Sequence, residues 1–336
     1  MDHILINIFV TEECNRICGG CYYPHSETKM SLEITDSVAI WINNLIEKED
    51  VKNLGLRFLG GETLLNLESV LKIADYVIEH KPESMSLSSL LLFTNGDPLF
   101  EDKNKGENML RELKKRKIKV MLNPTYDSLE RVDQKVKFIK LICGGCSLSV
   151  VLDDLNMDRL LDLVEIALSN DAHIRISRLY QGPLTPGYTE RYAEQVPKAL
   201  DKILEAGKPM HPDFIVDSIC PSWKGERNPY LCGKRHVVID PDGTCRNCNG
   251  DMNSVIGSIH TCSKLSDFKF LYRHSAKNIP ECQSCEWITW CQGGCPFVSK
   301  LTYGWHTKSP MCSTLKVLFP KLMKITERWE ARIQAK

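Results

Sequence analysis

Three closely spaced cysteines after an alternating apolar segment constrain this chain more than any other feature. Cys14, Cys18 and Cys21 follow residues 4–10, where isoleucine or valine occupies every second position. Alternation with period two predicts a β-strand, so the cysteines are expected on the loop after it. No fourth cysteine lies nearby, whereas a four-iron cluster normally takes four thiolates. The spacing therefore predicts a [4Fe–4S] cluster with one iron open to an outside molecule. The alternative is an incomplete zinc site, for which His25 would be a fourth ligand.

Composition narrows the class of protein. The 336 residues include 43 basic and 43 acidic side chains, so the net charge is zero and predicts neither a nucleic acid nor an anionic membrane as partner. No apolar run reaches the ~20 residues that span a bilayer. Fifteen cysteines in two dense groups of a long chain indicate metal binding in a reducing cytoplasm rather than disulfides.

Strand-like and helix-like patterns alternate from residue 4 to about residue 206. This alternation predicts an α/β fold with a parallel sheet, interpreted as a partial (β/α)6 barrel, although a flat doubly wound sheet has nearly the same pattern. Helices are expected between the strands, the clearest near residues 67–78 and 157–168. The predicted strands are 4–11, 54–59, 88–94, 118–123, 147–152 and 173–179.

Four unusual segments fall directly after the first four predicted strands. They are the cysteine loop, Gly60-Gly61-Glu62, the segment 94–96 with Asn95, and the segment 123–127 with Asn123. Ligands of parallel α/β folds bind where strands end at their carboxyl edge. The four segments therefore predict one active site, although a glycine pair after a strand is also an ordinary turn.

Together, the cysteine loop and the Gly-Gly-Glu segment resemble the radical S-adenosylmethionine (SAM) family. The resemblance implies that SAM completes the open iron, that Glu62 binds its ammonium group, and that Gly60 and Gly61 allow close backbone approach. It also implies that Asn95 contacts the ribose, and we expect Asn123 to contact SAM. One departure is Gly20, since the family usually has an aromatic residue before the third cysteine.

Arginines on two strands are expected to face the interior of the barrel. If the apolar residues beside Arg57 and Arg175 face the helices, alternation turns both arginines inward. We hypothesise that Arg175 pairs with the carboxylate of SAM or of the substrate. A structural ion pair at the barrel floor is the alternative.

A second group of cysteines follows the barrel. Between Cys232 and Cys248, residues 236–239 and the turn 240–243 predict a β-hairpin. The spacing of these cysteines and of those that follow resembles the SPASM extension of radical SAM enzymes. By this resemblance the barrel covers 1–210, and the SPASM domain with its C-terminal helix covers 217–336. The seven cysteines are Cys232, Cys248, Cys282, Cys285, Cys291, Cys295 and Cys312.

The SPASM resemblance implies two auxiliary [4Fe–4S] clusters. Cys232, Cys248 and Cys295 would hold the nearer one, with Cys220 as the predicted fourth ligand or with one iron open. The farther cluster would take Cys282, Cys285, Cys291 and Cys312. Structural zinc is the alternative for these spacings. Four cysteines remain. Cys143 and Cys146 are expected to be structural thiols, and Cys245 and Cys262 have no assigned role.

The resemblance implies an oxidoreductase that reductively cleaves SAM to a 5′-deoxyadenosyl radical and abstracts a hydrogen atom. The expected substrate is a ribosomally made peptide, modified by cross-linking, epimerisation or oxidation. Alternatives are a small molecule such as an aminoglycoside or amino acid, a non-catalytic metal protein, and sulfatase maturation. The last is disfavoured because Asn249 stands where that subgroup has aspartate, with Asp251 as a substitute base.

Two further partners are expected. A flavodoxin or ferredoxin would supply electrons. Because only thirteen residues precede Cys14, a leader peptide would need a separate binding protein, or none.

Overall fold

The computed structural model describes residues 3–19, 21–178, 185–207, 235–270 and 276–334. The chain divides into two compact units. The first consists of Met1–Asn123, Lys135–Ser147 and Leu231–Arg273. The second consists of Pro124–Gln134, Leu148–Tyr230 and His274–Lys336. The predicted boundary between barrel and extension, at 210–217, lies outside the described residues and stays a prediction.

The described residues form nine strands and eleven α-helices. The strands are β1 (Ile4–Phe9), β2 (Asn53–Leu59), β3 (Ser86–Thr94), β4 (Lys119–Leu122), β5 (Ser147–Leu152), β6 (His173–Arg178), β7 (His236–Ile239), β8 (Thr244–Arg246) and β9 (Val255–Ser258). The helices are α1 (Leu32–Lys48), α2 (Leu67–His80), α3 (Pro98–Glu101), α4 (Lys103–Lys115), α5 (Leu129–Cys143), α6 (Asp154–Asp158), α7 (Leu160–Ser169), α8 (Tyr188–Glu205), α9 (Ile288–Cys291), α10 (Pro296–Tyr303) and α11 (Cys312–Gln334). The six predicted barrel strands and the helix predicted near residues 67–78 are therefore confirmed.

The sheet of the first unit has the order β4-β3-β2-β1-β7-β8-β9. Neighbouring strands from β4 to β7 are parallel, and β7, β8 and β9 are antiparallel. The predicted hairpin is confirmed, since the Asp240 N–H donates to the Thr244 carbonyl over 2.9 Å and Gly243 takes a φ of +83° in the turn. This hairpin carries the chain from the sheet to Cys248.

Alternation along β1 and β2 sorts their side chains onto two faces. Isoleucines of β1 and the apolar residues Leu54, Leu56 and Phe58 of β2 form one fully buried row. The opposite row contains Asn7, which pairs in register with Arg57 on one side and Val238 on the other. Arg57 therefore faces away from the apolar row, as alternation predicts. Polar residues are thus concentrated on a single face of the sheet.

Two helices of the first unit, α1 and α4, begin at side-chain caps, and α2 buries one apolar face. The Ser31 hydroxyl accepts from the Ile34 N–H at the start of α1, and a carboxylate of Asp102 caps α4 in the same way. In α2 the buried residues include Val70, Ile73 and Val77. Packing of these faces holds the strands whose ends carry the candidate site.

In the second unit, β5 and β6 show the same alternation, with Ile174 and Ile176 buried on either side of half-buried Arg175. The single helix expected near 157–168 is two helices, because the chain breaks at Arg159. Helices α8 and α11 lie side by side: Lys321 Nζ donates to the Ala193 carbonyl over 3.1 Å, and Arg328 pairs with Asp201. No helix in the described ranges is both long enough and apolar enough to cross a bilayer.

Candidate active site

The segments that follow β1, β2 and β3 meet at one edge of the first unit, together with Asn123 directly after β4. The Gly61 N–H donates to the Thr11 carbonyl over 2.9 Å, and the Glu62 N–H donates to the Glu13 carbonyl over 2.7 Å. The Asn123 N–H donates to the Thr94 carbonyl over 2.8 Å. Backbone hydrogen bonds therefore join the Gly-Gly-Glu segment to the start of the cysteine loop, and Asn123 to the end of β3. The Glu62 side chain, which accepts from the Asn95 N–H over 2.8 Å, joins these two pairs.

The glycine pair allows a close approach, but the partner in this structure is the chain's own backbone. A Cβ on Gly61 would lie 2.3 Å from the Glu13 carbonyl oxygen, and one on Gly60 would lie 2.7 Å from the Thr11 carbonyl oxygen. Any larger residue would push apart the end of β2 and the segment leading to Cys14. The close contact of Gly60 and Gly61 with the backbone of Thr11 and Glu13 therefore fixes where the cysteine loop starts. The close approach of the two glycines to SAM stays a prediction.

The cysteine loop is a compact turn at the protein surface. The Cys21 N–H donates to the Cys18 carbonyl over 3.0 Å. Cys14 is half-buried, and this burial, opposed by a backbone hydrogen bond at Arg16, raises the pKa of its thiol; Glu62 and Cys21 raise it further. A cluster would bind Cys14, Cys18 and Cys21 as thiolates. Metal binding would replace the protons on these sulfurs.

A buried ion network holds the middle of the cysteine loop. Arg16 binds Asp97 through two hydrogen bonds, Nε to Oδ2 at 2.6 Å and Nη2 to Oδ1 at 2.8 Å. Lys135, fully buried, donates from Nζ to Asp97 Oδ1 and to the Asn95 carbonyl, each over 2.8 Å. Burial works to raise the pKa of Asp97, but the hydrogen bonds from Arg16 and Lys135 outweigh it and lower the pKa. This network, which the sequence analysis missed, ties the loop to the end of β3.

Glu62 is a buried carboxylate with no cationic partner among the residues that the structure describes. Its side chain is 1% exposed and accepts from the Thr94 hydroxyl at 2.6 Å, the Asn95 N–H at 2.8 Å and the Leu64 N–H at 3.0 Å. Burial raises the pKa of Glu62 against the lowering effect of these hydrogen bonds. No lysine, arginine or histidine of the described residues forms a salt bridge with it. A bound ammonium group would supply the missing positive charge, so this site fits the amino group of SAM.

The two asparagines lie at this edge with different surroundings. Asn95 donates from Nδ2 to Asn15 Oδ1 over 2.8 Å, and its own Oδ1 accepts from the Asp97 N–H. Its amide therefore already binds the cysteine loop. Asn123 is half-buried at the end of β4. Contacts of either residue with SAM stay predictions.

The structure describes both residues that were predicted as catalytic candidates, Asp251 and Arg175, and their catalytic roles stay predictions. Asp251 is buried and accepts from the Asn253 N–H over 3.2 Å, while its carbonyl accepts from Ser254, so it forms the turn after Cys248. Arg175 faces opposite to the buried isoleucines of β6, as predicted. Asn249, the residue that argues against sulfatase maturation, accepts at Oδ1 from Asn7 Nδ2 over 2.8 Å.

The four cysteines predicted to hold the farther auxiliary cluster line one cavity of the second unit. Its empty volume is about 370 Å³, including the part open to solvent. Burial, and then the nearby thiols Cys312 and Cys285, raise the pKa of the Cys282 thiol. Trp287 and Phe319 stack at 5.3 Å beside the cavity. The lining cysteines are Cys282, Cys285, Cys291 and Cys312.

The arrangement of these thiols bears on the choice between zinc and a cluster. Four thiolates on one zinc ion at 2.3 Å lie roughly 3.8 Å apart. Within the ranges that the structure describes, no three histidine, cysteine or acidic side chains converge closely enough to hold a single ion. The choice between zinc and a cluster at this cavity stays a prediction.

The other cysteines divide into three sets. Cys220 and Cys232 lie outside the described residues. Cys248 follows the hairpin, and Cys295 is buried at the start of α10. The thiols without a predicted ligand role are mostly buried, and burial raises the pKa of Cys146 to about 12 and raises that of Cys245. The last set is Cys143, Cys146, Cys245 and Cys262.

Comparisons with known proteins agree with this geometry. The profile of a 4Fe-4S single cluster domain matches residues 5–95, which include the cysteine loop and end at Asn95. No curated protein matches the chain.

Solved structures match over nearly the whole chain. Native anSMEcpe with bound AdoMet has a TM-score of 0.75 and 17% identity, covering 98% of this chain and 100% of its own. The same protein with AdoMet and Cp18Cys peptide gives 0.73 and 17%, covering 98% and 99%. Streptococcus suis SuiB bound to precursor peptide SuiA gives 0.63 and 14%, covering 92% and 75%.

These matches show the class of fold. The chain has a mixed α/β fold whose parallel sheet resembles the radical SAM barrel, followed by a cysteine-rich C-terminal region. The resemblance to radical SAM enzymes with a SPASM extension, predicted from the cysteine motifs, is thereby confirmed at the level of the fold. The particular fold is that of anSMEcpe and SuiB.

Proposed function

We propose that this protein is a radical SAM enzyme that modifies a peptide. The observation that carries the proposal is one edge of the first unit, where Cys14, the first cysteine of the loop, lies close enough to the buried carboxylate of Glu62 for their charges to interact. The three thiols of the loop leave one position of a four-iron cluster open. A buried carboxylate near Cys14 suits the ammonium group of SAM. The fold shared with structures that contain AdoMet supports this assignment.

Each residue of the edge has a defined task in the proposed site. Cys14, Cys18 and Cys21 hold the cluster, which when bound would supply the electron for reductive cleavage of SAM. Glu62 orients SAM through its ammonium group, with a carboxylate that is buried and held by three hydrogen bonds. Asn95, whose N–H binds Glu62, sets the spacing between this carboxylate and the loop by binding Asn15. Preorganised binding groups of this kind orient the cofactor and exclude side reactions.

We also propose two auxiliary clusters in the extension. Cys282, Cys285, Cys291 and Cys312 hold the farther one, which is supported by their positions around one cavity. Cys232, Cys248 and Cys295 hold the nearer one, with Cys220 completing it. The division into a barrel at 1–210 and an extension at 217–336 belongs to the same proposal.

A peptide is the proposed substrate, and a cross-link, an epimer or an oxidised residue the proposed product. Two solved structures of this fold support a peptide: anSMEcpe carries a Cp18Cys peptide and SuiB carries the precursor peptide SuiA. A flavodoxin or ferredoxin would deliver the electrons. A separate protein would present the leader of the peptide if one is needed.

The test is reductive cleavage of SAM by anaerobically reconstituted protein. Wild-type protein with dithionite and SAM is expected to form 5′-deoxyadenosine, measured by liquid chromatography and mass spectrometry. The variant C14A/C18A/C21A should lose four irons per chain and at least 95% of this product, because it cannot form the open cluster. Its matched control C143S/C146S removes thiols outside the proposed sites and should behave as wild type. Wild-type protein that holds the first cluster and still forms no 5′-deoxyadenosine would contradict the proposal.

A further inference from the structure

One arginine of the first unit is buried where hydrophobic side chains would be expected. Arg246 ends β8 and is 1% exposed, and its partner Asp240 has a side chain that is 13% exposed. The pair is bidentate: Nε donates to Oδ2 over 2.5 Å and Nη2 donates to Oδ1 over 2.7 Å. A buried ion pair gives little stability relative to a well-packed apolar pair. Stability alone therefore does not explain this arginine.

The remaining donor of the guanidinium faces the segment that carries Cys248. Arg246 Nη1 donates to the Cys248 carbonyl over 2.8 Å and to the Asn249 carbonyl over 3.0 Å. Two consecutive carbonyls held by one nitrogen fix the peptide planes on either side of Asn249. They fix with them the direction in which the Cys248 side chain leaves the backbone. The Cys248 N–H donates in addition to Ser254 Oγ over 3.2 Å.

The same guanidinium lies near two aromatic rings, Phe9 at the end of β1 and Tyr23 after Cys21. Its central carbon lies 5.3 Å from the ring centre of Phe9 and 5.9 Å from that of Tyr23, within the range of cation–π attraction. Phe9 and Tyr23 stack at 4.1 Å, and the Tyr23 hydroxyl donates to Asp240 Oδ1 over 3.3 Å. The Cys21 sulfur lies 3.7 Å from the Tyr23 carbonyl oxygen.

We infer that Arg246 is a positioning residue shared by two cluster sites, holding the Cys248 backbone by hydrogen bonds and the segment after Cys21 by packing on Tyr23. The inference rests on the proposed function, since it takes Cys21 and Cys248 as cluster ligands. Only arginine combines a planar fork for Asp240, a further donor for the carbonyls and a flat face for the rings. Lysine would keep the charge but has one nitrogen for all these contacts.

The geometry also has an electrostatic consequence. Hydrogen bonds and net charge near a cluster set its reduction potential. Asp240 neutralises Arg246, so R246K changes the hydrogen bonds beside both ligand segments, and a substitution that removes one of the two charges also changes the net charge there. A residue with a merely structural role would change thermal stability and leave the potentials unchanged.

The test compares R246K with R116K in anaerobically reconstituted full-length protein. Arg116 is the matched control, because it binds Asp75 through the same two-pronged contact, at 2.6 and 2.7 Å, and also binds Glu112, with no cysteine segment among its contacts. Both variants are made in wild type and in C14A/C18A/C21A, where only auxiliary clusters remain. Iron per chain and midpoint potentials from a redox titration followed by electron paramagnetic resonance are the measurements.

R246K is expected to lose up to four irons per chain. If it retains them, the midpoint potentials of both the cluster at Cys14, Cys18 and Cys21 and the auxiliary cluster at Cys248 are expected to shift. R116K should match wild type in both measurements. If R246K does not fold, D240N replaces it. D240N keeps the guanidinium but removes the carboxylate charge that neutralises it, so the net charge there rises by one unit and the potentials should rise.

Two outcomes separate the inference from the proposed function. The inference alone would be overturned if wild-type protein binds its iron and R246K has the same iron content and the same potentials. Where R246K does not fold, the same result in D240N would overturn it. Wild-type protein that takes up no iron would overturn the proposed function, and the inference with it.

Discussion

At the scale of single residues, the site depends on buried charges whose partners come from distant parts of the chain. Lys135 is fully buried and lies 38 positions from Asp97 in sequence, yet its nitrogen is 2.8 Å from that carboxylate. Neither residue belongs to a motif. Arg16 lies inside the cysteine motif, where its charge has an evident use only once Asp97 is in place.

We predict that K135M lowers the free energy of unfolding by about 3 kcal/mol, the lower end of the cost of breaking a buried ion pair. The cost stays at the lower end because Arg16 still binds Asp97. The measurement is urea unfolding of the reconstituted protein at neutral pH, followed by circular dichroism.

The matched control for this substitution is K72M, which removes an exposed pair with Asp36 at 2.7 Å. Exposed pairs contribute less than about 1 kcal/mol. Equal losses in the two variants would show that burial of Lys135 does not matter.

At the scale of elements, the turn between Cys291 and Cys295 requires glycine. Three consecutive residues, Gln292, Gly293 and Gly294, have positive φ angles of 51°, 84° and 81°. A Cβ on Gly294 would lie 2.5 Å from the Ser309 Cβ. Ser309 lines the same cavity as Cys312, and its carbonyl accepts from the Cys312 N–H. A larger residue at 294 would therefore displace a proposed ligand.

We predict that G294A lowers the iron content by up to four per chain and lowers the melting temperature. The control is G144A, because Gly144 has the same φ of +81° but nothing within 4 Å of its added Cβ. Both substitutions carry about 1 kcal/mol of backbone cost, so only the collision with Ser309 differs. Equal iron contents in the two variants would contradict the prediction.

At the scale of the whole molecule, the prediction concerns the independence of the cluster sites. Wild-type protein should bind about twelve irons per chain if all three clusters form. The variant C282S/C285S/C291S/C312S should lose four of them and melt at a lower temperature, because cluster binding is coupled to folding. It should still form 5′-deoxyadenosine, since the first site lies in the other unit. Iron analysis, thermal unfolding and product analysis test the three statements, and loss of the product would refute the independence.

The sequence by itself determined the order of strands and helices and the segments that form the site. Period-two alternation located the six barrel strands to within three residues at either end, because a half-buried strand needs one apolar face. Cysteine spacing identified the candidate ligands, because neighbouring ligands on one loop are close in space whatever the rest of the chain does. The helix near 157–168 was less well predicted, since its apolar pattern continues across the break at Arg159.

Tertiary structure alone decided the contacts between residues far apart in sequence. Three such contacts join segments that are 38 to 242 positions apart in sequence. They are the network of Arg16, Asp97 and Lys135, the Asn7–Asn249 hydrogen bond, and the contact of Arg246 with Phe9. No local sequence pattern predicts such pairs, because their residues become neighbours only when the chain has folded. The burial of Glu62 also could not be predicted from the sequence. Desolvation of a carboxylate depends on the atoms around it, and these come together only in the folded protein.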